Sequence, residues 1–313
     1  MSNQHGVPCG IAVPQMFPDG PVDMKLIRSY VERAESLGYH SLWVQEDIIG
    51  STPSLEPISL LCYIAGITQD IRLGTAVIIA TTRNPVILAK EFSTLDQLSN
   101  GRLIIGIGLG GRPNLYPILG GPSEKRARHF VDSVKVMKAL WEQPKATYDG
   151  HFWTLDGQPM EPKPVQKPHP PLWFGGRNPD GLRRAVRHGD GWMGAGSTST
   201  EEFKSHVGII RESLDAQGRD PSTFFISKRV YIALDDDETR AERRLREWFG
   251  QRYRGNSDMA SSVSVWGSAS RCIEGLSKIV EEGAQMLMLN PVFDHMEHLE
   301  AFQKDVIPSL RLP

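Results

Sequence analysis

The stretch RLGTAVIIATTRNPVILAKEFSTLDQLSNGRLIIGI, residues 72–107, decides the fold class. It begins with an apolar run rich in Val and Ile, at 72–80, and it ends with a second such run, at 102–107. Between them, Pro85 stands at the favoured first turn of a helix that the pattern extends to Leu98. Apolar strands joined by a helix predict a parallel sheet whose faces are covered by helices.

The same alternation continues through all 313 residues. Eight apolar runs are followed by amphipathic stretches, and Asp23 and Gly38 are a plausible N-cap and C-terminal glycine for the first helix. Since eight parallel strands close a barrel, we expect a single (β/α)₈ TIM-barrel domain over 1–313. An open doubly wound sheet is the alternative. The predicted strands are 10–14, 41–44, 72–80, 102–107, 171–174, 191–195, 224–234 and 285–290.

The predicted helices lie between or after these runs. They cover 23–37, 56–68, 85–98, 123–141, 179–188, 200–217, 238–249 and 296–310.

The composition is that of an ordinary globular protein, with 40% hydrophobic and 23% charged residues. A net charge of −2 argues against a nucleic-acid-binding protein, which needs a basic face. No apolar run approaches the roughly 18 residues of a membrane span, and the polar start, Met1 to Gly6, lacks a signal-peptide pattern. The odd, widely spaced cysteines, Cys9, Cys62 and Cys272, are expected to be free thiols in a reducing cytoplasm.

Two irregular stretches interrupt the repeat. Residues 145–167 carry aromatic residues around a turn and lead into a proline-rich run, which predicts a β-hairpin followed by an extended segment. Residues 235–266 follow the seventh strand and contain a charged helix without a broad apolar stripe. As an insertion over the barrel mouth, this segment is expected to be a mobile cover, a surface insertion or a contact with a second copy in a homodimer.

Function in such a barrel is located where the strands end, in the βα loops. The second strand ends in Trp43, followed shortly by Glu46 and Asp47. Two adjacent carboxylates need solvent or partners. Glu46 is the catalytic candidate and Trp43 a candidate ring contact; a helix-capping acid and a core tryptophan are equally good interpretations.

The fourth, fifth and sixth strands end in glycine-rich sequences. The fourth runs into GIGLGG (106–111), which differs from the dinucleotide-binding pattern and indicates a close backbone approach or a positive φ. The fifth ends in Gly175, Gly176 and Arg177 before a helix, an arrangement typical of anion sites. The sixth ends in small residues up to Ser197, which fit a second wall of a site for a phosphate or a side chain.

Metal chemistry has little support in the sequence. Of the nine histidines, His295 and His298 share a helix face but lack a third ligand at a usual spacing. A metal-dependent barrel hydrolase is therefore disfavoured, and no metal is expected.

The order of short motifs along the chain resembles that of the luciferase-like monooxygenase superfamily, whose members use FMN or the deazaflavin coenzyme F420. The resemblance covers essentially the whole chain. It is carried by RLGT (72–75), RNP (83–85), LDQLSNGR (95–102), GIGLG (106–110), EPKP (161–164), PPLWFGG (170–176) and GDGW (189–192).

The resemblance implies a ring at the C-terminal mouth of the barrel, against the third strand, with a non-proline cis peptide at about Ala76–Val77. It also implies a phosphate on the Gly175 to Arg177 turn, helped by the loop up to Ser197, and contact of Asn114 with the ring edge. The candidate cofactor-binding residues are Trp43, Ala76, Val77, Ile79, Gly110, Asn114, Gly175, Gly176, Arg177, Gly196 and Ser197.

Two departures from the family pattern bear on activity. Asp47 stands where many members have a proton-transferring histidine, and Leu109 stands where some FMN members have a basic residue. The resemblance implies an oxidoreductase acting on a small organic substrate, and we favour F420-dependent hydride transfer. An FMN-dependent monooxygenase that uses oxygen and a non-catalytic flavin-binding barrel are the alternatives.

Overall fold

The computed structural model describes residues 6–18, 20–253 and 255–313, without the side chain of Pro113. Its parallel sheet closes on itself, because β1 pairs with β2 on one side and with β12 on the other. The strands are β1 (Cys9–Ala12), β2 (Ser41–Val44), β3 (Arg72–Thr75), β4 (Ile78–Ile79), β5 (Leu103–Gly108), β6 (Ala146–Asp149), β7 (Thr154–Gln158), β8 (Leu172–Gly175), β9 (Gly191–Gly194), β10 (Phe225–Leu234), β11 (Ser264–Gly267) and β12 (Met286–Asn290).

The closed barrel has eight strand positions, in the order β1, β2, β3 with β4, β5, β8, β9, β10 and β12. The predicted barrel is therefore confirmed, and the open-sheet alternative is wrong. The helices are α1 (Met24–Ser36), α2 (Pro57–Ile67), α3 (Pro85–Leu98), α4 (Arg126–Glu142), α5 (Pro179–His188), α6 (Thr200–Ala216), α7 (Glu238–Arg252), α8 (Met259–Val263), α9 (Ala269–Glu281) and α10 (His295–Ala301).

Local signals account for most helix boundaries. The Asp23 carboxylate accepts hydrogen bonds from two backbone N–H groups of α1, and Gly38 has a φ of +80°, as expected from the sequence. The predicted closing helix is an exception. It divides into α10, a π turn (Phe302–Val306) and a 3₁₀ turn (Ile307–Ser309), because Pro308 lacks the N–H that a continuing helix needs.

Large aromatic side chains fill the barrel interior. Trp43 is fully buried and stacks on Trp173 at 5.5 Å between ring centroids. Glycines on both neighbouring strands leave it room, since a Cβ at Gly10 or Gly74 would lie 2.4 Å from the indole. The Trp43 indole N–H donates to the Ser41 hydroxyl at 2.7 Å, so its polar group is satisfied inside the core.

The third barrel strand is broken between β3 and β4. The expected cis peptide is present between Ala76 and Val77. Opposite the break, the Thr75 hydroxyl donates to the Gly106 carbonyl at 2.7 Å and accepts from the Gly106 N–H at 2.8 Å, which replaces the missing ladder bonds. Val77 then packs against β5 and β8, where a Cβ at Gly108 or Gly175 would lie 2.9 Å or 3.1 Å from it.

The expected hairpin is β6 and β7, which pair antiparallel beside the barrel. The insertion of residues 235–266 differs from its prediction in two respects. α7 does carry an apolar stripe, because Ala241, Leu245 and Phe249 are fully buried. In addition, the insertion ends in β11, which pairs in parallel with β10 and extends the sheet. The insertion is thus anchored at both ends by packing and pairing.

No helix in the described part of the chain has the length and apolarity needed to span a membrane.

The contact between Thr75 and Gly106 gives a stability prediction. An added Cβ at Gly106 would lie 1.8 Å from the Thr75 carbonyl oxygen, a backbone atom that cannot rotate away. We expect Gly106→Ala to lower the free energy of unfolding by about 1–3 kcal/mol or more, as measured by urea denaturation.

Gly208→Ala is the matched control, because Gly208 lies within α6 and nothing lies within 4 Å of its added Cβ. This variant should be stabilised by up to about 1 kcal/mol. A Gly106→Ala protein as stable as the parent would contradict the assigned packing.

Candidate active site

A cavity of about 330 Å³ opens at the C-terminal ends of the barrel strands. Its walls come from the β3–β4 break, the loops after β5, β8 and β9, the start of α5, and β10. The lining residues are Ala76, Val77, Gly108, Leu109, Gly110, Gly111, Phe130, Phe174, Gly175, Gly176, Arg177, Asn178, Gly181, Arg184, Met193, Gly194, Ala195 and Arg229. We call it the ring cavity.

The ring cavity is strongly positive. Arg177, Arg184 and Arg229 line it, and among its described lining residues none is an aspartate or glutamate. Burial lowers the pKa of Arg184, although the guanidinium remains charged at any ordinary pH. A mainly apolar cavity with three cations and no lining anion fits a flat organic ligand that carries negative charge.

The α5 end of the ring cavity has the features of a phosphate site. Gly176 has no side chain where α5 begins, and the nearest atom to an added Cβ would be 3.7 Å away, on the Gly181 backbone. The Asn178 side chain caps the helix by accepting from the Gly181 N–H at 2.7 Å. Backbone N–H groups at a helix start, with Arg177 and Arg184 beside them, are suited to bind an anion.

The third arginine lies away from this end. Arg229 is on β10, whereas the turn from Gly175 to Arg177 follows β8. Because β9 lies between these two strands, Arg229 is two strand spacings, about 10 Å, from the strand that leads into the turn. Its guanidinium donates to the Gln45 side-chain oxygen at 2.6 Å and to the Tyr231 hydroxyl at 2.8 Å. The Arg229 Nε is buried and has no hydrogen-bond partner among the described residues.

The neighbouring Lys228 points to the opposite side of β10 and is 1% exposed. Its ammonium donates to the Ala195 carbonyl at 2.5 Å and to the Thr198 carbonyl and hydroxyl at 2.8 Å and 2.7 Å. Burial lowers the pKa of Lys228 to about 7. Lys228 therefore positions the loop after β9, which contributes Ala195 to the ring cavity next to Gly194 at the end of the strand.

Glu46 is held by protein groups. One carboxylate oxygen accepts from Arg83 Nε at 3.0 Å and Nη2 at 2.6 Å, and the other accepts from the Ile79 backbone N–H. Its side chain is 1% exposed. Because Ile79 belongs to β4, Glu46 ties the segment after the cis peptide to the loop after β2, an arrangement that favours a positioning role.

A second cavity, of about 420 Å³, borders the ring cavity at Gly111. Its described lining is mostly apolar and includes Ile48, Ile49, Ile79, Leu115, Tyr116, Leu119 and Tyr253. At its rim, Asp47 accepts from Arg252 at 2.6 Å and from Arg112 at 3.4 Å. Since Arg252 ends α7, the insertion is connected directly to the loop that follows β2.

The structure separates the sequence candidates into three groups. Ala76, Val77, Gly110, Gly175, Gly176 and Arg177 line the ring cavity. Glu46 and Ile79 line the second cavity. Trp43, Asn114, Gly196 and Ser197 line neither of these two cavities.

The last group is explained by local packing. Trp43 belongs to the barrel core, and Asn114 is exposed on a short 3₁₀ turn. An added Cβ at Gly196 would lie 2.6 Å from Arg229 Nε, so this glycine makes room for the arginine. Sequence reasoning missed Arg184 and Arg229. The polar and charged sequence Ser227-Lys228-Arg229, within a strand whose remaining residues are mostly apolar, was the available signal for the second.

Metal ligation has no structural support in the ranges described. No group of three His, Cys, Asp or Glu side chains there could hold a metal ion. His298 is buried and accepts from the Leu234 N–H at 3.0 Å, which is a structural role.

Known proteins with similar sequences, and a solved structure with a similar fold, bind deazaflavin or flavin cofactors by their names. An F420-dependent glucose-6-phosphate dehydrogenase of Kineococcus radiotolerans is 26% identical over 79% of this chain and 75% of its own length. The oxygenase component of a flavin-dependent trigonelline monooxygenase of Acinetobacter baylyi is 31% identical over 66% and 58%, respectively. The solved structure of an F420-dependent secondary alcohol dehydrogenase, in complex with an F420-acetone adduct, superposes with a TM-score of 0.85, at 24% identity over 98% of this chain and 99% of that one.

The family model described as luciferase-like monooxygenase matches residues 6–285, which is most of the chain. The same region contains seven of the eight barrel positions, the cis peptide and the residues that line the ring cavity. The chain therefore belongs to the luciferase-like monooxygenase family.

Proposed function

We propose that the protein is an oxidoreductase that binds coenzyme F420 in the ring cavity and transfers hydride between the cofactor and a small organic substrate. The observation that carries this proposal is the charge of the cavity, where three arginines face a mainly apolar space without a lining carboxylate in its described part. The similarity to an F420-dependent dehydrogenase over 79% of the chain supports the choice of cofactor.

The residues present fit such a cofactor. The turn from Gly175 to Arg177, with Arg184, would hold a phosphate, because it combines backbone N–H groups with two cations. The apolar wall that includes Val77 and Leu109 would support the ring. When bound, the deazaflavin supplies the hydride chemistry, and the protein supplies orientation, charge and exclusion of water.

The second cavity is the proposed substrate site. It borders the ring cavity, and its aliphatic and aromatic lining suits an organic molecule with an apolar body. Tyr253 is our candidate for proton transfer there, because it lines this cavity and its hydroxyl forms a hydrogen bond with the Tyr231 hydroxyl at 2.7 Å. Asp47 and Glu46 are less suited, because both are already paired with arginines.

An FMN-dependent monooxygenase is the second candidate. The trigonelline monooxygenase component has the higher identity, 31%, although it matches a smaller share of the chain. A non-catalytic flavin-binding barrel would share the ring cavity but would show no turnover. For location, the free Cys9, Cys62 and Cys272 are typical of a reducing compartment, and we propose the cytoplasm.

The phosphate site can be tested with Gly176→Asp. The space around Gly176 accepts a side chain, so the variant should fold, but its carboxylate would repel a bound phosphate. At about 4 Å such repulsion is worth roughly 4 kcal/mol at an effective dielectric of about 20, so we expect at least a hundredfold loss of affinity.

The measurement is an absorbance titration of the purified protein with F420, whose band lies at about 420 nm, and with FMN, at about 450 nm. Gly176→Asn is the matched neutral control and should bind far more tightly than the aspartate variant. Equal cofactor affinity of the Asp and Asn variants would show that the phosphate does not bind at this turn. Binding of FMN alone would favour the monooxygenase.

Glu46→Gln tests the role of the buried carboxylate. Because Arg83 retains Glu56 at 2.9 Å, we expect a moderate loss of stability, about 1–3 kcal/mol, measured by thermal denaturation. Turnover per folded molecule should fall only as far as cofactor affinity falls. If turnover at saturating cofactor collapses while the melting temperature is unchanged, Glu46 is a catalytic group.

We also propose that residues 255–263, between the anchored α7 and β11, form the part of the insertion that closes over the barrel mouth. The link between Arg252 and Asp47 would hold the closed form. Hydrogen exchange should show protection of 255–263 that rises when cofactor is added, while buried parts of α7 remain protected throughout. Asp47→Asn should reduce this protection. Protection that depends on protein concentration alone would indicate a dimer contact.

A further inference from the structure

Arg229 is a half-buried cation without an anionic partner among the described residues. Its hydrogen-bond partners in the described chain, Gln45 and Tyr231, are both neutral, and no carboxylate there forms a salt bridge with it. The preceding residue, Lys228, is buried on the other side of β10, and burial lowers the pKa of its ammonium to about 7. A partly buried guanidinium without a counter-charge is unfavourable, and a ligand that supplies negative charge would remove this cost.

The guanidinium also keeps unused donors. An arginine has five N–H groups, and Arg229 uses one on each terminal nitrogen, at 2.6 Å and 2.8 Å. Its Nε–H is buried with no acceptor among the described residues. Because Arg229 lines the ring cavity, a molecule bound there can accept a hydrogen bond from the terminal N–H groups that these two contacts leave unused.

The position of Arg229 decides which part of a ligand this acceptor belongs to. Arg177 and Arg184 already serve the α5 end of the ring cavity, and Arg229 is about two strand spacings away, inside the barrel mouth. It shares the cavity with Val77, whose side chain fills the space between Gly108 and Gly175. A negative charge that a ligand places near Arg229 would therefore belong to a different part of the ligand from the phosphate.

We propose that Arg229 is the counter-charge for the reduced cofactor ring, an inference that rests on the proposed function. A hydride from the substrate, which is two electrons and one proton, would add one negative charge to the oxidised ring of a bound cofactor. A further proton from solvent would neutralise that charge. Arg229 stabilises the anionic ring without this proton, so it binds the reduced cofactor more tightly than the oxidised one and makes reduction easier.

Both FMN and F420 would gain this negative charge on accepting a hydride, so the inference holds for either cofactor. It also assigns a purpose to the hydrogen-bond chain behind the arginine. Gln45 and Tyr231 hold the two terminal nitrogens, and Tyr231 contacts Tyr253 at 2.7 Å, so the orientation of Arg229 is coupled to the end of α7.

The test compares Arg229→Gln with Arg184→Gln, which removes a cation from the opposite end of the same cavity. Affinities for the oxidised and the dithionite-reduced cofactor are measured anaerobically by absorbance titration, and the reduction potential of the bound cofactor is measured in parallel. Arg229→Gln should weaken binding of the reduced form at least tenfold more than binding of the oxidised form. The reduction potential of the bound cofactor should shift to a more negative value, by the amount that corresponds to this ratio of affinities.

Arg184→Gln should weaken both forms equally and leave the potential unchanged. Arg229→Lys keeps the charge and should retain most of the preference for the reduced form, which provides a folded comparison if the glutamine variant is unstable. Equal weakening of both oxidation states by Arg229→Gln, or an unchanged potential in the lysine and glutamine variants alike, would overturn the inference. A parent protein that binds neither cofactor would overturn the proposed function itself.

Discussion

The fit of Thr75 and Val77 against the glycines of the next two strands is the constraint on which the mouth of this barrel depends. Thr75 replaces the ladder bonds of Gly106, and Val77 occupies the volume that side chains at 108 and 175 would otherwise take. The floor of the ring cavity is formed by this contact, because Ala76, Val77 and Gly175 all line it. The glycine-rich sequence after the fourth strand thus serves packing between strands as well as access for a ligand.

Charge is distributed unequally around the mouth. Around the mouth, Glu46 and Asp47 form ion pairs with Arg83 and Arg252, and the hydrogen bonds of these two carboxylates connect the loop after β2 to β4 and to α7. Inside, Arg177, Arg184 and Arg229 face the cavity without a lining carboxylate among the described residues. Ion pairs at the rim organise the loops, whereas unpaired cations inside leave the electrostatic complement to a ligand.

The insertion shows how one segment can be both anchored and close to the site. Ala241, Leu245 and Phe249 hold α7 on Tyr231, and β11 extends the sheet beside β10. These contacts leave the short region after α7 with few buried residues, Ala260 being an exception. Local opening there costs little compared with unfolding the helix, because the apolar burial is concentrated on either side.

Much of this protein could be predicted from its sequence. The alternation of apolar runs and amphipathic stretches specified the eight-stranded barrel, and the N-cap Asp23 and the first-turn Pro85 placed two helix starts to within a residue. The motif resemblance located the cis peptide and the Gly175–Gly176 turn, since these depend on short stretches of contiguous residues.

Contacts between distant residues were decided only by the tertiary structure. Trp43 and Glu46 both stand at the end of one strand, yet the first fills the core because Gly10 and Gly74 leave it space, and the second is held by Arg83 and Ile79. Arg229 belongs to no motif, and its neutral partners come from Tyr231 on the same strand and from Gln45, which follows β2 and is distant in sequence. Periodicity and capping are local properties of the chain, whereas the pairing of a buried charge depends on which side chains the closed barrel brings together.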